Sequence, residues 1–276
     1  MKTVSKVCTM AALSFRESLA RKTFITFFGL STILHILLIL ALDIDAIDGA
    51  MAMVKVMGQD IQQKNLEKLI ILVQTSIAGA AFTGGIFLSI FATASLVPTM
   101  LEKGAIDLLI SKPLSRTQIF LGRYLGAQSI MILNITYLIG GSWLILSFKT
   151  GIWHFPYLYC ILMVIGAFAI IYSLMALVGV TSRSPGVTVM AAFTVFFLST
   201  VLVHKDQIYA FLSSKVYDYI LSALYHALPK MSELGEINLA LVLGKPVESW
   251  LPLWSSGIVG LVMLSTATFI FARKDF

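Results

Sequence analysis

Charge is what this chain has least of. Only 12% of its 276 residues are Asp, Glu, Lys or Arg, against about 25% in an ordinary soluble domain. Apart from Arg123 near the start of the third, six long apolar runs hold none. That disfavours ion-coupled carriers, proton pumps and voltage sensors, which need an ionisable group at membrane depth. Cysteine is nearly absent as well. Cys8 lies in a basic stretch and Cys160 in an apolar one, so no disulfide framework is implied, and no Cys/His pattern has metal-site spacing. The patterns H-E-x-x-H, G-x-S-x-G and G-x-x-x-x-G-K-[ST] are missing. Gly244-Lys245-Pro246 lacks the flanks of a phosphate loop. No residue reads as catalytic, no cofactor or metal is expected, and an enzyme would have nowhere to place its chemistry.

What fills the sequence instead is hydrophobic residue, at 58%. An integral membrane protein follows. The expected fold is all-α and polytopic, a single domain with six transmembrane helices over about 24–42, 69–97, 121–148, 156–181, 187–203 and 251–272. Residues 1–23 carry five bases and one acid, with Val4, Val7, Ala11, Phe15 and Leu19 at helical spacing. They read as an amphipathic helix on an anionic lipid surface. A signal peptide fits less well, because the apolar run after it exceeds an h-region of about 7–15 residues.

Smaller features are read along the way. His35, alone inside the first run, is expected to pack as a neutral hydrogen-bonded ring rather than relay protons. Ala80/Gly84 and Ala81/Gly85 are small-xxx-small pairs, expected to serve internal packing ahead of a subunit interface. Residues 43–68 read as a polar, partly helical segment outside the membrane. The 204–250 segment contains an amphipathic pattern over 216–227, ended by Leu228-Pro229, and an apolar run at 239–243 too brief to cross. It is either a surface cap or short helices that dip back between spans.

Six crossings put both termini on one side, and basic residues say which. That side carries 12 Lys/Arg, whereas the other carries 8 and ten of the fourteen acids. The termini and the loop at 98–120 are therefore expected in the cytoplasm. Orientation accounts for the net charge of +6, so no nucleic-acid partner is expected.

That 98–120 loop is the only long charged interruption in mid-chain. Leu101, Ala105, Leu108 and Leu109 predict a short helix with one apolar stripe from about Met100 to Ser111. Pro113 ends it. Ser115-Arg116-Thr117-Gln118 then reads as a capping box, with Leu114 and Ile119 placed for a hydrophobic staple. The order Glu102-Lys103-Gly104, Asp107-Leu108-Leu109, Ser111-Lys112-Pro113-Leu114-Ser115-Arg116 and Gly122-Arg123-Tyr124 resembles the cytoplasmic loop of bacterial ATP-binding-cassette permeases of the type-2 exporter class. The likeness is sharp over these two dozen residues and weak elsewhere. It implies a permease subunit of the bacterial inner membrane, paired with a second copy or a related permease. The short helix would couple it to a separate cytoplasmic ATPase, with Glu102, Gly104, Asp107, Lys112, Pro113, Ser115 and Arg116 forming the coupling site. It also implies short extracytoplasmic helices between spans five and six. Relatives handle drugs, peptides, polysaccharides and ions; charge-free spans suit a lipid-like or amphiphilic substrate. A non-transporting scaffold, an assembly or immunity factor, or a channel are the alternatives. A scaffold binds a partner without stimulating its ATPase, and a channel conducts without ATP.

Overall fold

An apolar segment without water around it must close its backbone hydrogen bonds internally, which makes it a helix. The computed structural model, which describes residues 9–13, 15, 22–45, 53–56, 59–61, 63–102, 104, 114–203 and 222–274, has helices along each of the six apolar runs. Five helical stretches are long and apolar enough to cross a membrane: Leu66–Met100, Arg116–Thr150, Phe155–Ser182, Pro185–Val203 and Leu251–Arg273. The first run is helix α1 (Lys22–Ala41), whose apolar part, Ile25–Ala41, is shorter than these. The chain is a multi-pass membrane protein of helices with one small sheet.

Two of the long helices are irregular. α2 (Gln63–Ala80) passes through a π-helical turn at Ala81–Gly85 into α3 (Ile86–Thr93), followed by short α4 (Leu96–Met100). α5 (Arg116–Ile135) passes through a π turn at Thr136–Gly140 into α6 (Gly141–Thr150). α1 touches both. A Cβ on Gly85 would lie 3.8 Å from the Phe27 ring and 3.2 Å from Ile135 Cδ1. Further along, His35 Nε2 is 3.1 Å from the Leu138 carbonyl. A carbonyl only accepts, so Nε2 carries the hydrogen. His35 is buried and has the packing role expected of it.

The small-residue pairs differ in burial but share one groove. Ala81 and Gly85 are buried, Gly84 is half-buried and Ala80 exposed, and all four line an open groove of about 490 Å³ between α1 and the α2–α3 run.

α7 (Tyr159–Ser182) is the hub. It packs against α10 (Leu251–Arg273), α8 (Pro185–Val203), α5 and α9 (Met231–Val242). Glycines mark its closest approaches: a Cβ on Gly260 would meet Ile170 Cα at 3.3 Å, and one on Gly179 would meet Val97 Cγ1 at 3.2 Å. Small residues let helix backbones approach where no hydrophobic effect drives association.

The polar segment after α1 is partly helical, as expected, from Gln63 on; ahead of that it forms antiparallel strands β1 (Leu42–Asp45), β2 (Met53–Val56) and β3 (Gln59–Ile61), which the sequence did not suggest. Leu42 pairs Val56, and Val54 pairs Ile61. β-branched residues alternating outside the membrane suit a ladder better than a helix.

In the described part of the 204–250 segment, α9 packs among the long helices. A helical stretch at 222–227 leads to Leu228-Pro229-Lys230, and α9 then runs back antiparallel to α2, with Gly235 beside Phe82, Asn238 beside Ala78 and Gly79 beside Leu239. Met231, Leu234, Asn238 and Val242 are fully buried. A helix beginning inside a bundle leaves N–H groups open, and here two neighbours close them. Ser256 Oγ accepts from Lys230 N at 2.9 Å, and Ser199 Oγ accepts from Ser232 N at 3.2 Å. The first half of the predicted 216–227 helix lies outside the described residues.

Candidate coupling site between the second and third long helices

The loop residues singled out by sequence sit at the end of the bundle where α4, α5, α7 and α10 finish or begin. Met100 closes α4 rather than opening a new helix, and Leu101 follows as its C-cap. Leu101 is 5% exposed and belongs to the bundle core, so it is unavailable to a docking partner as the first residue of the predicted stripe. Glu102 is exposed. Gly104 has φ +87, a left-handed backbone that favours glycine. Asp107, Lys112, Pro113 and most of the predicted Met100–Ser111 helix lie outside the described residues.

The capping box is present. Ser115 has extended dihedrals (φ −73, ψ 152), its Oγ accepts from Gln118 N at 3.3 Å, and its own N–H donates to Gln118 Oε1 at 3.1 Å. Leu114 packs partly buried on the core, and Ile119 and Phe120 are buried behind it. A 35-residue helix thus starts abruptly at the turn, with its first residues fixed.

Arg116 has acceptors that the sequence did not indicate. Its Nη1 lies 3.5 Å from the Ala272 carbonyl and donates to the Lys274 carbonyl, at the last turn of α10. Lys274 in turn donates from Nζ to the Val180 carbonyl of α7 at 2.6 Å. Burial, and then the Arg183 guanidinium, lower the Lys274 ammonium below the usual lysine range. Both links place a cation on carbonyls that a helix C-terminus leaves open, where the macrodipole favours positive charge. Apolar contacts run alongside: Phe120 stacks on Phe271 at 5.3 Å, and Tyr124 donates to the Ala169 carbonyl at 2.8 Å.

No protein-family model matches this chain, and no curated protein sequence does.

Sequence reasoning missed two cations. Lys274 had counted only toward sidedness. Lys230, likewise counted only toward sidedness, is 4% exposed with its ammonium 4.0 Å over the Tyr225 ring. Its only sequence signal is the preceding Leu228-Pro229 break. Among the described residues no group of three or more His, Cys, Asp or Glu could hold a metal ion. On the flank of α5 and α6, beside the N-terminal helical residues, a groove of about 1180 Å³ is lined by Phe15, Leu125, Ile132, Leu133 and Leu144. It is almost wholly apolar, and Gln128 in its wall has neither amide atom hydrogen-bonded among the described residues.

Proposed function

We propose that this chain is the membrane-spanning permease subunit of an ATP-driven exporter of the type-2 class, with six spans and both termini cytoplasmic. It forms part of the pathway, holds no ATP itself and takes energy from separate ATPase subunits docked at the 98–120 loop. Two copies, or one copy and a related permease, complete the complex in a bacterial inner membrane.

The observation that carries this reading is the capped start of α5. Ser115 and Gln118 fix the first turn of a 35-residue helix directly behind the charged loop. A push on that loop is then a push on the helix, which is how rigid-body motion passes between domains. The absence of ionisable groups from the interiors of the apolar runs removes the usual means of ion coupling and leaves a partner as the energy source. The apolar flank groove supports an amphiphilic cargo.

The test is purification from native membranes in mild detergent, followed by mass spectrometry and an ATPase assay. A near-stoichiometric ATPase whose recovery falls on Glu102→Arg supports the reading; Glu102 is exposed and forms no part of the core. Recovery of the chain alone, under conditions that preserve other complexes, overturns it in favour of a scaffold or channel.

A further inference from the structure

We propose that Arg116 and Lys274 are positioning residues forming a two-link tie, which passes a displacement at the start of α5 to the ends of α10 and α7. The exporter reading supplies what drives the displacement; the tie itself stands on geometry.

The first link joins Arg116, the first residue of α5, to the Ala272 and Lys274 carbonyls. The second joins Lys274 Nζ to the Val180 carbonyl. A backbone detail makes the second link specific. α7 ends at Arg183 in the left-handed region (φ 54), and the Arg183 N–H closes on the Gly179 carbonyl at 3.1 Å. That cap satisfies Gly179 and leaves the next carbonyl, Val180, without a backbone donor. Lys274 supplies the donor from another helix. Charge-assisted bonds of this kind are stronger than neutral ones.

The tie is also set apart from the rest of the bundle by its chemistry. Midway along, α7 and α10 meet through Gly260 and Ile170, a van der Waals contact that tolerates sliding. At the Arg116 end the same helices are joined by directional bonds, reinforced by Phe120 on Phe271 and by Val97 and Pro98 on Gly179. Three helices must therefore move together at this end while their middles shift. Arg116 directly follows the Ser115 cap, so the link begins where the loop ends.

The experiment uses full-length protein in nanodiscs, with Cys8 replaced by Ser and spin labels at Thr117 and Thr181, both exposed in the structure. Lys274→Met removes the donor, Lys274→Arg keeps one, and Arg116→Met breaks the first link. The tie predicts a narrow Thr117–Thr181 distance distribution in the parent and in Lys274→Arg, broadened in both Met variants. Exchange of the Arg183 amide should speed about tenfold in Lys274→Met. With the co-purified ATPase, Lys274→Met should keep ATPase binding but lose its stimulation, and Lys274→Arg should restore it. A purely structural role would not separate docking from stimulation. Unchanged distances and exchange in both Met variants overturn the tie, as does loss of ATPase binding in Lys274→Met, which would make Lys274 a docking contact. If no ATPase co-purifies, the exporter reading fails, and the distance and exchange measurements still decide the tie.

Discussion

Gly141→Ala should destabilise this protein even though helix propensity says the reverse. Gly141 has ordinary helical dihedrals (φ −64, ψ −47). Alanine fits that backbone and on propensity alone would gain about 0.5–1 kcal/mol. Packing reverses the sign. A Cβ at Gly141 would lie 2.5 Å from His35 Cε1 and 2.8 Å from Nε2. The ring cannot simply retreat, because Tyr137 lies edge-on at 4.9 Å and Nε2 is bonded to the Leu138 carbonyl. Overpacking a filled site costs about 1–3 kcal/mol. Breaking the buried bond leaves the His35 N–H unsatisfied, at about 1–3 kcal/mol more, while the Leu138 carbonyl keeps the Gly141 N–H. Net of propensity, a loss of about 1–5 kcal/mol remains. The neighbouring glycine is the control: a Cβ on Gly140 meets nothing within 4 Å, so Gly140→Ala should be neutral or stabilising by up to about 1 kcal/mol. Equilibrium unfolding in detergent, followed by tryptophan fluorescence, gives both values. His35→Ala should remove most of the penalty of Gly141→Ala, appearing as a coupling in the double-mutant cycle. Equal shifts for Gly140→Ala and Gly141→Ala would refute the reasoning.

Three further outcomes follow from named contacts. Ser256→Ala leaves the Lys230 N–H without its acceptor at a fully buried site, costing about 1–3 kcal/mol; Ser256→Thr should restore stability in the same unfolding assay. His154 Nδ1 meets Gln74 Oε1 at 2.8 Å, and burial lowers the imidazole pKa from 6.5 against an opposing pull from Glu67. The folded state then binds fewer protons than the unfolded one below about pH 6.5. Its stability should be full above that pH and fall as the pH drops beneath it, and His154→Gln should flatten that slope in thermal scans from pH 5 to 8. Ser115→Ala should cost about 1 kcal/mol and speed exchange of the Gln118 amide, with Ser115→Asp keeping the cap.

Local chemistry was legible in the sequence, and distant partnerships were not. Ser115 and Gln118 sit three residues apart, so their mutual bonds follow from spacing alone. Arg116 and Lys274 are 158 residues apart and Lys274 and Val180 are 94 apart, and no periodicity links them. Arg116 was accordingly assigned to a partner with no sign of the acceptors it has in its own chain. Leu101 is a related case: its i+4 spacing to Ala105 allowed a stripe, but its burial in the bundle core is a tertiary fact. The π turns in the two longest helices leave no pattern, since apolar residues surround them on every side. In α9, Met231, Leu234 and Ile237 alternate with Glu233 and Glu236, which fits a surface helix as well as an inserted one. What decides insertion is a pair of serine hydroxyls on α8 and α10, two residues whose role cannot be read from the helix they serve.

The distribution of those polar groups bears on where this bundle can yield. Directional bonds gather at one end, around Ser115, Arg116, Lys274 and Val180, and at the buried tip of α9. Between them, the two π turns interrupt the helices that α1 touches, and α1 bonds the second turn through His35 and through Thr32 to Tyr137 at 3.0 Å. A π turn places a helix partway between two hydrogen-bond registers, so it absorbs a shift at less cost than a regular turn. Displacement entering at the tied end therefore meets stiff joints first and a softer one at Ala81–Gly85, whereas Thr136–Gly140 is held by α1. His35 sits against the second of these, bonded to the Leu138 carbonyl inside it. The residue expected from sequence to pack as a hydrogen-bonded ring is the pin that holds that turn in its register.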